Sequence, residues 1–191
     1  IAPIGGLIVG LLLTGLIITI FAKRKPAPVN KIFGKLQIIS SAWFALTHGA
    51  NDGQKTMGII ALILFSSGLI PNFEIPLWVI FAAATAMGLG TFFGGYKVIK
   101  TLGVKITRLR PYQGFAAETG GGLMLAAFAV LGIPASTTHA ITGTIMGSGA
   151  ARRKLAVRWK VSRQIIFSWI ITIPGAAGMG IGFTYLIHLF V

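Results

Sequence analysis

Three stretches of this chain, residues 3–22, 77–96 and 164–191, contain no aspartate, glutamate, lysine or arginine. Each supplies the roughly 20 helical residues needed to cross a hydrocarbon core about 30 Å thick. Inside lipid the backbone groups of a span must pair with one another, and runs of this length do so as helices. Hydrophobic residues make up 54% of the 191 positions, and the mean hydropathy is +0.84. The expected fold class is therefore all-α, a polytopic transmembrane helical bundle. A cleaved signal peptide is a poor reading of residues 3–22, because the lysines follow the apolar run instead of preceding it. The chain opens at Ile1, without an initiator methionine and directly before an apolar span, so we expect it to be part of something longer.

The net charge of +14 could suggest nucleic-acid binding, but the distribution of charge argues against it. Apart from Lys55, the basic residues fall into three clusters, Lys23 to Lys35, Lys97 to Arg110 and Arg152 to Arg163. Short basic loops between apolar spans follow the positive-inside bias and contact anionic lipid. No cysteine is present, which excludes disulfides and thiolate metal sites.

The same pattern sets the expected organisation, one transmembrane repeat over residues 1–191. Spans are placed near 3–22, 36–70, 76–96 and 162–190, with 111–151 as a hairpin and basic cytoplasmic loops at 23–35, 97–110 and 152–160. The 36–70 stretch is too long for one straight crossing at about 1.5 Å per residue, and we expect it to break at Gly49 to Lys55. Further breaks are expected at Gly120-Gly121-Gly122 and near Ile133-Pro134, where proline removes a backbone donor and restricts the residue before it. A kink is expected at Pro174-Gly175. The spacings Gly90-x3-Gly94, Gly143-x3-Gly147 and Gly178-x3-Gly182 would allow close helix packing. No internal repeat or soluble domain is visible.

Two polar clusters interrupt this apolar background. The first is Asn51-Asp52-Gly53-Gln54-Lys55, where a carboxylate and an ammonium stand three residues apart. Such groups are costly in a membrane and mark substrate or ion paths; the alternative is a closed Asp52–Lys55 pair with a structural role. The second is Pro134-Ala135-Ser136-Thr137-Thr138-His139, three hydroxyls at a helix start, where unpaired N–H groups and the helix dipole favour an anion. Simple capping by Ser136 or Thr137 is the competing reading. Two interrupted helices in a small bundle match the midplane sites of secondary transporters. Asp52 beside an anionic ligand requires a cation between them or a proton on the ligand, which protonated phosphate can carry and sulfate cannot.

His48 and Asp52, spaced i,i+4, could hold a metal or relay a proton, or His48 could be structural. His139 carries the same alternatives. Glu118 is a proton carrier, a cation ligand or a cap for the turn at Gly120, and His188 is interfacial. Trp78, Trp159 and Trp169 read as interface anchors or packing. No nucleophile stands beside a base, so an enzyme is not expected.

The segments His48-Gly-Ala-Asn-Asp-Gly-Gln-Lys-Thr-Met-Gly58 and Pro134-Ala-Ser-Thr-Thr-His-Ala140 together resemble the paired signatures of the inorganic phosphate transporter (PiT) family, of the bacterial low-affinity permease type. The resemblance covers essentially the whole chain and implies the C-terminal half of an inverted-repeat transporter with discontinuous helices. It implies that Asn51, Asp52, Ser136, Thr137 and Thr138 form half of a phosphate and cation shell, with the missing N-terminal repeat, or a second copy in a homo-oligomer, supplying the rest. Asp52, Lys55, Glu118 and His139 would couple transport to protons or sodium. No resident metal or cofactor is implied. Sodium-coupled members tend to follow Asn-Asp with small residues and another asparagine. Here Lys55 places a fixed ammonium instead, which favours protons and admits a divalent metal–phosphate complex as cargo. The implied setting is a bacterial inner membrane. A sulfate or other oxyanion permease of the same fold, and a channel-like or structural subunit, are the alternatives.

The topology is testable because the chain lacks cysteine. Single Phe73→Cys, Lys25→Cys and Arg153→Cys variants of the full-length protein would be treated with a membrane-impermeant thiol reagent in intact cells. With the basic loops cytoplasmic, the N-terminus and the turn at Pro71 to Glu74 lie outside. The first variant should therefore label, and the other two only after permeabilisation; labelling of Lys25→Cys from outside would reverse the assignment.

Overall fold

The computed structural model describes residues 1–188, leaving aside the side chains of Lys97 and Lys154. Six α-helices account for most of it: α1 (Ala2–Ile20), α2 (Pro26–Ser66), α3 (Leu77–Lys100), α4 (Pro111–Val130), α5 (Thr137–Arg152) and α6 (Trp159–His188). A π-helical segment, Thr101–Ile106, follows α3, and a 3-10 turn, Lys154–Ala156, follows α5. No strand occurs among the described residues. The chain divides into two compact units at Val157/Arg158. In the second unit α6 is a 30-residue apolar helix that continues through Pro174. The expected span 162–190 ends in residues outside those described.

Prolines set two helix starts. Lys25 and Arg110, each preceding a proline, have extended backbones, and α2 and α4 begin at the proline itself. A residue before proline is disfavoured in the helical region, whereas proline fits the first helical position. Glycines set two ends. Gly68 (φ 71°) and Gly132 (φ 65°) follow the last residues of α2 and α4. At each the chain turns back with paired hydrogen bonds, Leu69 N–H to Leu64 O (3.0 Å) and Ile133 N–H to Phe128 O (2.9 Å). This is the left-handed helix stop that glycine permits.

In the first unit α1, α4 and α5 pack against one another, α2 lies along α4, and α3 contacts α2. The centre is α5, buried on all sides from Ala140 to Gly149. Its 16 residues give a length of about 24 Å, short of a full hydrocarbon crossing. Gly6 and Gly10 of α1 face Gly143 and Gly147 of α5 so closely that a β-carbon on any of them would strike the other helix's backbone. Gly143-x3-Gly147 therefore packs as the spacing suggests, and its partner is Gly6-x3-Gly10, which the sequence reading did not single out. Gly90, Gly94, Gly178 and Gly182 have nothing within 4 Å among the described residues.

Two expected interruptions are absent. α2 runs without a break through Gly49 to Lys55 for 41 residues, about 60 Å and twice the hydrocarbon thickness. A helical glycine costs only about 1 kcal/mol, and the polar groups here find partners along the helix and on its neighbours. α4 likewise continues through Gly120-Gly121-Gly122. Those glycines admit Val9 and Leu13 of α1 and Phe44 and Trp43 of α2. They are contact points, not hinges. The turn expected near 133–134 is present, between α4 and α5. The basic loops are shorter than 23–35 and 97–110, because α2 begins at Pro26 and helical structure after α3 persists to Ile106.

Large apolar side chains of α3, including Phe81, Phe92 and Phe93, are exposed, as suits a face covered by lipid or further protein. The glycine crossing predicts opposite effects of one substitution at two places. Gly147→Ala should destabilise the full-length protein by about 1–3 kcal/mol or more, since backbone cannot move aside. Gly34→Ala, with open space around it, should be neutral or stabilising. Thermal unfolding in detergent reads both; equal shifts would contradict the contact.

Candidate functional site

The continuity of α2 determines how its polar residues are presented. His48, Asp52 and Lys55 stand at i, i+4 and i+7, on one face of the helix. His48 is fixed by stacking on Phe44, with ring centroids 5.8 Å apart, and its Nε2 lies 3.0 Å from Asp52 Oδ2. Lys55 Nζ lies 3.0 Å from Asp52 Oδ1. The carboxylate is thus held between an imidazole and an ammonium, and it remains about a third exposed, at 31%.

The start of α5 approaches the same carboxylate. Thr137 Oγ1 donates to Asp52 Oδ2 at 2.9 Å, and Lys55 Nζ donates to the Ala135 carbonyl at 2.6 Å. Both polar clusters of the sequence therefore meet at one point. The N-terminus of α5 favours negative charge, and the carboxylate bonded there is that of Asp52. Lys55 bridges the carboxylate on α2 and a backbone oxygen that precedes α5, as a bound cation would.

The remaining candidates take other places. Ser136 caps α5, its Oγ accepting from the His139 N–H at 3.4 Å, so capping and the bond to Asp52 fall on neighbouring hydroxyls. Thr138 is exposed and His139 is half-buried. Asn51 is buried, and its Nδ2 donates to the carbonyls of Leu125 (3.1 Å) and Thr47 (3.5 Å). The Leu125 bond ties α2 to α4. Glu118 is not part of this cluster. It accepts from Ser40 Oγ at 2.6 Å and from Gln37 Nε2 at 3.5 Å. Ser40 precedes Asp52 by twelve positions, about 18 Å along α2. Among the described residues there is no group of three or more His, Cys, Asp or Glu that could hold a metal ion.

Sequence reasoning missed the Ala135 carbonyl, because any residue supplies one. It also missed Gln37 and Ser40, which carry no motif, and their position opposite Glu118 follows only from the packing of α2 on α4.

Comparison with known proteins converges on one family. The phosphate transporter family matches residues 1–180. A Rhizobium meliloti protein named "Probable low-affinity inorganic phosphate transporter" is 49% identical over 173 residues, covering 90% of this chain and 52% of that protein. A Bacillus subtilis protein of the same name is 41% identical over 180 residues, covering 94% of this chain and 54% of that protein. A solved structure described as "The sodium-dependent phosphate transporter" superposes with a TM-score of 0.67 at 26% identity, covering 91% of this chain and 52% of that one. The chain spans about half the length of the curated relatives it matches.

The Thr137–Asp52 bond gives a direct test. Hydrogen bonds to charged groups contribute about 1.5–3 kcal/mol, or roughly tenfold or more in an equilibrium. In the full-length protein, Thr137→Val should lower stability to thermal unfolding in detergent by about that amount, and Thr137→Ser, which keeps the hydroxyl, should retain most of it. Equal loss in both variants would point to shape and not to the hydroxyl.

Proposed function

The chain belongs to the phosphate transporter family, and from that premise we propose that it forms about half of a secondary active transporter importing inorganic phosphate with a coupling cation. It is an integral membrane protein of a transporter family and not of an enzyme family. The observation that carries the reading is the Asp52 carboxylate shared between Lys55 of α2 and Thr137 of α5. A transported anion at this point meets a carboxylate. Monohydrogen or dihydrogen phosphate can donate its proton to Asp52, whereas sulfate has none to give. The site thus favours phosphate over its nearest structural analogue.

Lys55 supports proton coupling over sodium coupling in this reading. Its ammonium spans a carboxylate oxygen and a carbonyl oxygen, hard ligands of the type that would hold a small cation. With Lys55 in place that position is already charged, and release of the Lys55–Asp52 bond would free Oδ1 of Asp52 for the ligand. His139, half-buried in the first turn of α5, and Glu118, in its separate cluster with Ser40 and Gln37, are assigned to proton coupling. In this reading Thr138, exposed at the start of α5, faces the ligand with Thr137. Ser136 and Asn51, bonded to the His139 N–H and to the Leu125 and Thr47 carbonyls, support the half-site. The second repeat, a further part of the same chain or a second copy, supplies the rest. The transporter is assigned to the bacterial inner membrane, and a divalent metal–phosphate complex is an admissible cargo.

Radiolabelled phosphate uptake into proteoliposomes, with the full-length protein under a pH gradient and then a sodium gradient, tests the proposal. Saturable uptake that follows one gradient, persists in excess sulfate and is lost in Asp52→Asn is expected. Uptake blocked by equimolar sulfate would favour a general oxyanion permease, and conduction without saturation or coupling would favour a channel. Lys55→Ala should slow uptake and alter its pH dependence. Full rate with unchanged pH dependence would remove Lys55 as a cation surrogate.

A further inference from the structure

A second basic site lies away from the Asp52 cluster, where the end of α1 meets the starts of α2 and α4. A cavity of about 190 Å³ is lined there by Ile17 and Phe21 of α1, Arg24 in the connector, Asn30 of α2, and Arg110 and Tyr112 at the start of α4. Three rings fix the helix ends around it. Phe21 meets Phe33 of α2 edge-on at 5.4 Å, and Phe33 meets Phe115 of α4 at 5.3 Å. The pocket is therefore held by packed rings on three helix ends, with Arg24 contributed by the short connector between α1 and α2.

Its charge is uncompensated. The chain has three acidic residues. Asp52 carries both ion pairs found among the described residues, Glu118 is bonded to Ser40 and Gln37, and Glu74 follows α2 in the turn toward α3. None of them pairs with Arg24 or Arg110. The first turns of α2 and α4, both lining the cavity, add the positive ends of two helix dipoles. Within it, Asn30 Oδ1 is enclosed and accepts no hydrogen bond from the described residues. An occupant thus needs an anionic group for the two guanidiniums and a donor for Asn30. The volume is below the roughly 300–1,000 Å³ of sites that enclose drug-sized ligands, and one wall is the apolar last turn of α1, a helix long and apolar enough to cross a membrane.

We propose that this pocket binds the phosphate group of an anionic glycerophospholipid, with Arg24 and Arg110 on the phosphate oxygens and a headgroup hydroxyl donating to Asn30 Oδ1. Guanidinium is the side chain best matched to phosphate, through parallel charge-assisted bonds. Bound lipid would join the ends of three helices at the basic face. The site is independent of the Asp52 cluster and of its assignment to transport.

Native mass spectrometry of the full-length protein, delipidated and then titrated with phosphatidylglycerol, phosphatidic acid, phosphatidylcholine or inorganic phosphate, tests this. One tightly retained phosphatidylglycerol per chain is expected, with phosphatidylcholine about tenfold weaker or more, because its choline ammonium is repelled by the two guanidiniums and it has no hydroxyl to donate to Asn30. Arg24→Ala/Arg110→Ala should reduce the retained count by one. Asn30→Ala, which removes no charge, should narrow the preference for phosphatidylglycerol over phosphatidic acid and keeps the proposal testable if the double variant does not fold. An unchanged count in a folded double variant, or retention of phosphatidylcholine equal to phosphatidylglycerol, would overturn the site. Displacement of the lipid by millimolar inorganic phosphate would assign the pocket to the free anion and overturn the lipid.

Discussion

The closest approach in this fold is between α1 and α5, where Gly6 and Gly10 meet Gly143 and Gly147 backbone to backbone. In lipid there is little hydrophobic force between helices, so association depends on close packing and on hydrogen bonds across the contact. Here both are present: Ser148 Oγ of α5 donates to the Gly10 carbonyl of α1 at 3.3 Å. The crossing holds a short helix in the middle of the bundle. It also holds the start of that helix where α2 can reach it, so the position of Thr137 relative to Asp52 depends on glycines two and three turns farther along α5.

The far end of α5 is anchored by a different device. Gln113 Nε2 donates to the Ser148 carbonyl at 2.8 Å, while its Oε1 accepts from the Arg110 N–H at 3.0 Å. One buried side chain thus caps α4 and binds it to α5. Between the two anchors, α4 admits its neighbours through three consecutive glycines. The bundle is therefore rigid around α5 and leaves the Asp52 carboxylate at its edge, partly exposed. That combination suits a half-site completed from outside: fixed helices with one charged group presented at the boundary.

The two anion-attracting places differ in their charge balance. At Asp52 the carboxylate is already bonded to an ammonium, an imidazole and a hydroxyl, so an anion arriving there must exchange with existing bonds. At the basic end two guanidiniums have no carboxylate within the described residues. A permanent occupant would relieve their repulsion, and nothing internal would need to be displaced.

Much of this was legible in the sequence. Uncharged runs of about 20 residues determined that the chain is helical and membrane-spanning, because lipid offers backbone groups no other partner. The turn near Ile133-Pro134 was legible from local sterics, whereas Pro26, read as part of a basic loop, instead opens α2. The two polar motifs picked out the residues through which α2 meets the start of α5, since charged and hydroxyl side chains are costly in this setting. The tertiary structure decided the rest. Gly49, Gly53 and Gly120–Gly122 read as breaks, but a helical glycine costs only about 1 kcal/mol, and packing with neighbours outweighed that cost. Which small-residue spacing makes a contact, and whether Asp52 meets Thr137 while Glu118 meets Ser40, depends on helix rotation and offset. Those are set by side chains distant in sequence, and no local pattern encodes them.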